Sequence, residues 1–261
     1  MPSQERPVVL VTGAGRGIGK GIAHYLGTQG YDIALHYLDN EDDAVELAQE
    51  LLSHGSRVEL IKGDLTKEGV PHSVVNEAFT RFGRIDSLVN NAGVTISSEF
   101  LSFEEQAVDY CYRINFLAPY LCAQRAANIM VQEGIEGNIV NITSVHQERS
   151  TDRDSAYGSM KAALARATES MAYELAPHNI RVNAIAPGRI RTSTSPLTIV
   201  DEKINEAIPI RRSGIPHDIA QVVCWLLSSA SSYVTGTTIR VDGGLNLPLR
   251  RALIDNQLRF F

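Results

Sequence analysis

The chain has 261 residues, 44% of them hydrophobic and 21% charged, enough to bury the core of one large α/β domain. The formal net charge is -6 and no long basic run occurs, which excludes nucleic acid as a main partner because phosphate binding needs clustered Lys and Arg. Cys111, Cys122 and Cys224 are scattered without metal-ligand spacing, so no metal site is expected and they read as small buried apolar residues of a reducing compartment. Met1–Pro7 is polar, and no apolar run approaches the roughly 20 residues of a membrane helix. A cytoplasmic protein with no membrane partner is expected.

Val8–Val11 is a short β-branched run that stops at Thr12-Gly13-Ala14-Gly15-Arg16-Gly17-Ile18-Gly19, after which Ile18, Ile22, Ala23 and Leu26 recur at helical spacing. A strand, a glycine-rich turn and a helix start, in that order, suit a phosphate. Glycine lets the backbone approach a ligand, and the helix start offers unpaired N–H groups and a positive dipole end. The alternation continues with a strand over 31–37, a helix over 41–54, a strand over 56–61, a helix over 66–82 and a strand over 85–89 ending in Asn90-Asn91-Ala92-Gly93. A long helix is predicted over 103–131, then a strand over 138–142, a helix over 155–176 and a strand over 180–185 closed by Pro187-Gly188. Residues 189–209 read as a polar segment over the substrate, 215–227 as a helix and 238–241 as a last strand. Strands alternating with helices imply an α/β fold, a parallel sheet covered on both faces. With no linker and no repeat, one domain over 1–261 is expected. Ligands bind such sheets at the carboxyl ends of the strands, and Asp64, Asn90, Asn91, Thr143, Ser144 and Pro187-Gly188 all fall there.

Tyr157 and Lys161 lie four apart on a predicted helix, hence on one face of it. A tyrosine has a reference pKa of about 10 and is a poor base at neutral pH. A nearby ammonium favours the phenolate, so the pair is suited to taking a proton from a hydroxyl or returning one to a carbonyl. On spacing alone the signal is weak, and a solvated helix face is the simpler explanation of the pair.

Taken together, Thr12-Gly13-x-x-x-Gly17-Ile18-Gly19, Asn90-Asn91-Ala92-Gly93, Asn115, Ser144, Tyr157-x-x-x-Lys161, Pro187-Gly188 with Thr192, and Val241-Asp242-Gly243-Gly244 resemble the motifs of the short-chain dehydrogenase/reductase family over residues 7–244. The resemblance implies a Rossmann-type, doubly wound, seven-stranded parallel sheet, a nicotinamide cofactor, a small-molecule substrate and a homotetramer built on the two long helices. It implies that Tyr157 is the general acid/base, that Lys161 lowers its pKa and holds the nicotinamide ribose, that Ser144 orients the substrate oxygen and that Asn115 binds a water leading to solvent. It places cofactor contacts at Gly13, Arg16, Gly17, Ile18, Gly19, Tyr37, Asp64, Leu65, Asn91, Ala92, Gly93, Pro187, Gly188, Ile190 and Thr192, besides Tyr157 and Lys161.

Tyr37 stands where an NAD user carries an acidic ribose ligand, and Arg16 stands where a basic residue meets a 2′-phosphate. These favour NADP(H). Leu38 and Asp39 count the other way, so NAD(H) is also accommodated.

The stretch Ser144-Val145-His146-Gln147-Glu148 resembles bacterial glucose 1-dehydrogenases. It points to a sugar or polyol as substrate, with Ser144, His146, Glu148 and Tyr157 as its contacts. The charged run Arg149–Asp154 departs from those enzymes. A 3-oxoacyl-[acyl-carrier-protein] reductase is the alternative, since Arg149, Arg153, Arg189 and Arg191 offer a basic patch to an acidic carrier. A cofactor-binding regulator without catalysis is a remote third reading, disfavoured because Tyr157, Lys161, Ser144 and Asn115 are all present. The tail 245–261, rich in Leu and ending in two Phe, is expected to pack on a neighbouring subunit.

Overall fold

All four residues of the first strand, β1 (Val8–Val11), are buried, as a strand covered by helices on both faces requires. The computed structural model describes residues 6–192 and 205–247. In it β1 lies near the middle of one seven-stranded sheet with β2 (Asp32–Tyr37), β3 (Val58–Lys62), β4 (Ser87–Asn90), β5 (Asn138–Ile142), β6 (Arg181–Pro187) and β7 (Thr238–Val241). The order is β3-β2-β1-β4-β5-β6-β7 and each pairing is parallel. This is the Rossmann-type, doubly wound arrangement the motifs implied. The strand order reverses between β1 and β4, so a crevice opens beyond their carboxyl ends.

Side chains alternate across the sheet and feed two cores. Val9 and Val11 point to one face, where Ile22, Leu26, Leu47 and Val223 join them. These come from α1 (Gly17–Thr28), α2 (Glu41–Ser53) and α7 (Pro216–Leu227). Leu10 points to the other face and meets Val75, Leu88, Ala126, Met130 and Ala172. Those helices are α3 (Val70–Phe82), α5 (Ala118–Glu133) and α6 (Ser155–Leu175). Leu10 and Leu88 are fully buried, so truncating either to Ala costs about 2–5 kcal/mol.

Two predicted helices start or run differently. The helix expected from Thr66 begins at Val70, because Gly69 sits at φ 76° and Pro71 belongs to the first turn. The helix expected over 103–131 is interrupted. α4 (Glu105–Tyr112) passes through a π-helical turn, Arg113–Leu117, before α5. That turn carries Asn115, and π-turns inside helices often occur at functional sites.

Candidate active site

The glycine turn is interlocked with the end of β4. Thr12 Oγ1 accepts from the Asn91 and Ala92 amides at 3.0 and 3.1 Å, and Asn91 Nδ2 donates to the Thr12 and Gly13 carbonyls at 2.9 and 3.1 Å. Gly13 sits at φ 64°, and a Cβ there would lie 2.9 Å from Ala92 Cα. Gly19 is tighter still, since a Cβ would come within 2.2 Å of the Gly13 carbonyl oxygen. Arg16 precedes α1 without capping it by a side-chain hydrogen bond, which leaves the first-turn amides open to an anion.

Beyond these ends lies a cleft of about 580 Å³. It runs from Arg16, Tyr37, Asp39 and Asp64 at one end to Ser144, Tyr157 and Lys161 at the other, with Thr192 beside Gly17 of the glycine turn. Of the predicted cofactor contacts, Gly13, Arg16, Gly17, Ile18, Tyr37, Asp64, Leu65, Asn91, Ala92, Gly93, Pro187, Gly188 and Thr192 line it. A cradle of glycines at one end and an uncapped helix start fit the pyrophosphate and adenosine of a dinucleotide. Ile190 instead packs against the hydrophobic core, and Gly19 lies under the turn, where its lack of a side chain permits the close approach.

At the far end the chain brings four predicted residues together. β5 ends in Ile142, and Ser144 follows two residues later. Tyr157 and Lys161 come one turn apart on α6. Tyr157 shares side-chain hydrogen bonds with Ser144 and with Thr95, a lining residue that sequence reasoning passed over. Lys161 is buried, donates to the Ile142 carbonyl at 3.0 Å, and has its ammonium 5.7 Å from the centre of the Tyr157 ring. Asn115, fully buried on the π-turn, donates to the Val94 carbonyl at 2.9 Å and accepts from the Val94 amide at 3.2 Å. It meets Lys161 at Gly93, where a Cβ would lie 2.8 Å from Asn115 Oδ1 and 3.2 Å from Lys161 Nζ.

Burial dominates the electrostatics. It pushes the Lys161 ammonium down to about 8 and holds the Tyr157 phenol above its usual value of 10. Hydrogen bonds from Ser144 and Thr95 pull the phenol the other way, while Asp154 and Cys111 add to the rise. The expected lowering of Tyr157 by Lys161 is therefore not found in the protein alone, where burial sets the direction. Removing water from both groups disfavours both of their charged forms.

His146 and Glu148 are not among the residues lining this cleft. They line a second cavity of about 630 Å³, shared with Phe100, Leu101, Arg149 and Asp152. His146 Nδ1 lies 3.0 Å from the buried carboxylate of Asp154, and its ring packs edge-on against Tyr157 at 5.7 Å between centres. The Glu148 carboxylate accepts from Arg240 and Asn246, each at 3.2 Å, because an opposite charge stands beside it on β7. The predicted segment over the substrate, 189–209, is described only at its two ends, and the tail beyond Leu247 lies outside the described residues.

A family model described as Enoyl-(Acyl carrier protein) reductase matches residues 13–246. The chain is similar to the Uncharacterized oxidoreductase YohF of Escherichia coli (strain K12), 39% identical over 242 residues, with 92% of this chain and 96% of that protein covered. It is 34% identical to Glucose 1-dehydrogenase 2 of Bacillus subtilis (strain 168), covering 91% of this chain and 94% of that one. It is also 34% identical to the 3-oxoacyl-[acyl-carrier-protein] reductase FabG of Staphylococcus epidermidis, covering 90% of this chain and 97% of that one. Among solved structures, the acetoin dehydrogenase YohF from Salmonella typhimurium superposes with a TM-score of 0.89 at 38% identity, covering 95% of this chain and 99% of that one. A blue fluorescent protein from a metagenomic library, solved in complex with NADPH, has a TM-score of 0.86 at 31% identity, covering 92% of this chain and 98% of that one.

Proposed function

This chain belongs to the short-chain dehydrogenase/reductase family of NAD(P)-dependent oxidoreductases acting on CH–OH and carbonyl groups, and from that premise we propose that it interconverts a small polyhydroxylated alcohol or sugar and its carbonyl form. The observation that carries the reading is the hydrogen-bonded pair Ser144–Tyr157 at the end of a glycine-lined cleft, with Lys161 buried beside it.

In oxidation, Tyr157 takes the proton of the substrate hydroxyl, and in reduction it returns that proton to the carbonyl oxygen. Ser144 donates to the same oxygen and fixes its position. Lys161 favours the phenolate once Tyr157 ionises and holds the ribose next to the nicotinamide. Asn115, meeting Lys161 over Gly93, holds the solvent link by which the proton leaves. The nicotinamide, when bound, supplies the hydride acceptor or donor. Thr192 holds its carboxamide, while Asp64 and Leu65 flank the adenine.

Two points support NADP(H) as the preferred cofactor. Arg16 is exposed at the adenosine end of the cleft, and Tyr37 stands where a carboxylate would repel a 2′-phosphate. Asp39 lines the same end and leaves room for NAD(H). The substrate class is supported by what the relatives share. Glucose and acetoin each carry an oxygen on the carbon beside the reacting one. A homotetramer on α4–α5 and α6 is supported by the exposed aromatics Tyr112, Tyr120 and Tyr173 on those helices.

A 3-oxoacyl-[acyl-carrier-protein] reductase is the second reading, supported by the similarity to FabG. Weighing against it, Arg153 is paired with Glu99 and Asp152, so the arginines beside the second cavity do not make a surface of one sign. Rates of cofactor reduction or oxidation over aldoses, vicinal diols, hydroxy ketones and β-ketoacyl thioesters, with NAD(H) and NADP(H), separate the two. Turnover of the thioester alone would sink the polyol reading.

A further inference from the structure

The adenosine end of the cleft is assembled from three separate β–α connections, and one side chain touches two of them from the third. His36, the penultimate residue of β2, is 2% exposed and lines the cleft. The Gly13 amide donates to its Nδ1 at 3.1 Å, and its Nε2 donates to the Gly63 carbonyl at 3.0 Å. Both bonds are made at once by one tautomer of the neutral ring, with the proton on Nε2. Burial keeps the ring in that form by depressing its pKa to about 4. The backbone repeats the lacing, since the Ala14 amide donates to the His36 carbonyl at 2.8 Å and the Gly63 amide to the Tyr37 carbonyl at 3.0 Å.

We propose that His36 is a positioning residue for the cofactor, holding the glycine-rich turn at Gly13 and the Asp64 loop at the separation that the adenosine half of a dinucleotide needs. Gly13 takes φ 64° with its amide committed to His36, so the turn is braced from below while the amides of the α1 start remain open to phosphate. Asp64 and Leu65 follow Gly63 directly, so the second bond sets the wall against which the adenine rests. The proposal rests on the dinucleotide reading of the cleft and adds the residue that gives its adenosine end a fixed shape.

The test uses the full-length protein with His36→Leu, His36→Asn and His36→Gln. An Asn side-chain oxygen occupies the place of Nδ1 and keeps the bond to Gly13, whereas a Gln amide reaches the place of Nε2 and keeps the bond to Gly63. Binding is read by titration with NADPH and with adenosine 2′,5′-bisphosphate, and kcat is read at saturating cofactor. We expect His36→Leu to weaken both ligands by about tenfold or more, as loss of a buried hydrogen bond implies, with kcat within about twofold of wild type. His36→Asn should recover most of the affinity and His36→Gln less. A folded His36→Leu protein that binds adenosine 2′,5′-bisphosphate like wild type overturns the proposal. If His36→Leu does not fold, a His36→Asn protein binding no better than His36→Gln overturns it. Wild-type protein that binds no adenine nucleotide would remove the dinucleotide reading itself, and the proposal with it.

Discussion

Lys161 is buried and has its pKa depressed to about 8 from 10.5, so the fold carries a charge it would be more stable without. The difference of about 2.5 units corresponds to roughly 3 kcal/mol at 1.36 kcal/mol per unit. The folded pKa lies below the unfolded one. The unfolded chain therefore holds the extra proton between pH 8 and 10.5, and stability rises with pH across that window. Below pH 8 both states are protonated and the whole penalty is present. Lys161→Met keeps the length of the side chain and removes the charge. It also removes the 3.0 Å bond to the Ile142 carbonyl, a charge-assisted bond contributing about 1.5–3 kcal/mol. The net expectation at pH 7 is a variant between equally stable and about 1.5 kcal/mol more stable, and without turnover. That advantage should shrink toward pH 10.5 as wild type sheds its proton. Urea unfolding at pH 7.0 and pH 10.0, at one protein concentration, measures both values. A Met variant less stable than wild type at pH 7 by more than about 1 kcal/mol, or a difference that does not change with pH, refutes the reasoning.

Gly93→Ala places a methyl 2.8 Å from Asn115 Oδ1 and 3.2 Å from Lys161 Nζ. Because displacing catalytic groups by about 1 Å costs as much as 10²-fold, kcat should fall by about tenfold or more while the melting temperature moves little. Arg16→Ala should weaken NADPH by about tenfold and leave NADH nearly unchanged, since an arginine bond to phosphate is charge-assisted. Parallel fluorescence titrations with the two cofactors decide this, and equal losses for both would remove Arg16 from the 2′-phosphate site.

What could be seen in the sequence depended on whether the signal was local. Asn138–Ile142 is a complete strand in both, because a short run rich in β-branched residues, bounded by Gly137 and by Thr143-Ser144, suffices to define it. The end of α3 was legible at Phe82, whereas its start was not, because Gly69 and Pro71 override the helical pattern that begins at Thr66. Ser144, Tyr157 and Lys161 were found from spacing and motif, and they meet as expected. The π-turn around Asn115 was not legible, because one extra residue rotates the pattern after it by about 100° while the residues on either side still read as helix. His36 escaped notice because it sits inside an ordinary strand, and its importance arises only when Gly13 and Gly63 arrive from elsewhere in the chain. Thr95 was missed for the same reason, as its partner Tyr157 is 62 residues away. Glu148 looked free to bind a sugar until folding set Arg240 beside it. Burial, too, is a property of the fold, which is why the pair Tyr157–Lys161 reads as ammonium-activated in sequence and as desolvated in three dimensions.

The most direct test of the central claim, that Tyr157 moves the proton between substrate oxygen and enzyme, is Tyr157→Phe compared with wild type on the best polyol or hydroxy ketone substrate. Removing one hydroxyl from a half-buried ring preserves the packing against His146 and the 5.7 Å approach of Lys161. The account predicts that turnover falls by about 10²–10⁴-fold while NADPH affinity stays within a few-fold of wild type. A Tyr157→Phe enzyme that keeps the wild-type rate would contradict it.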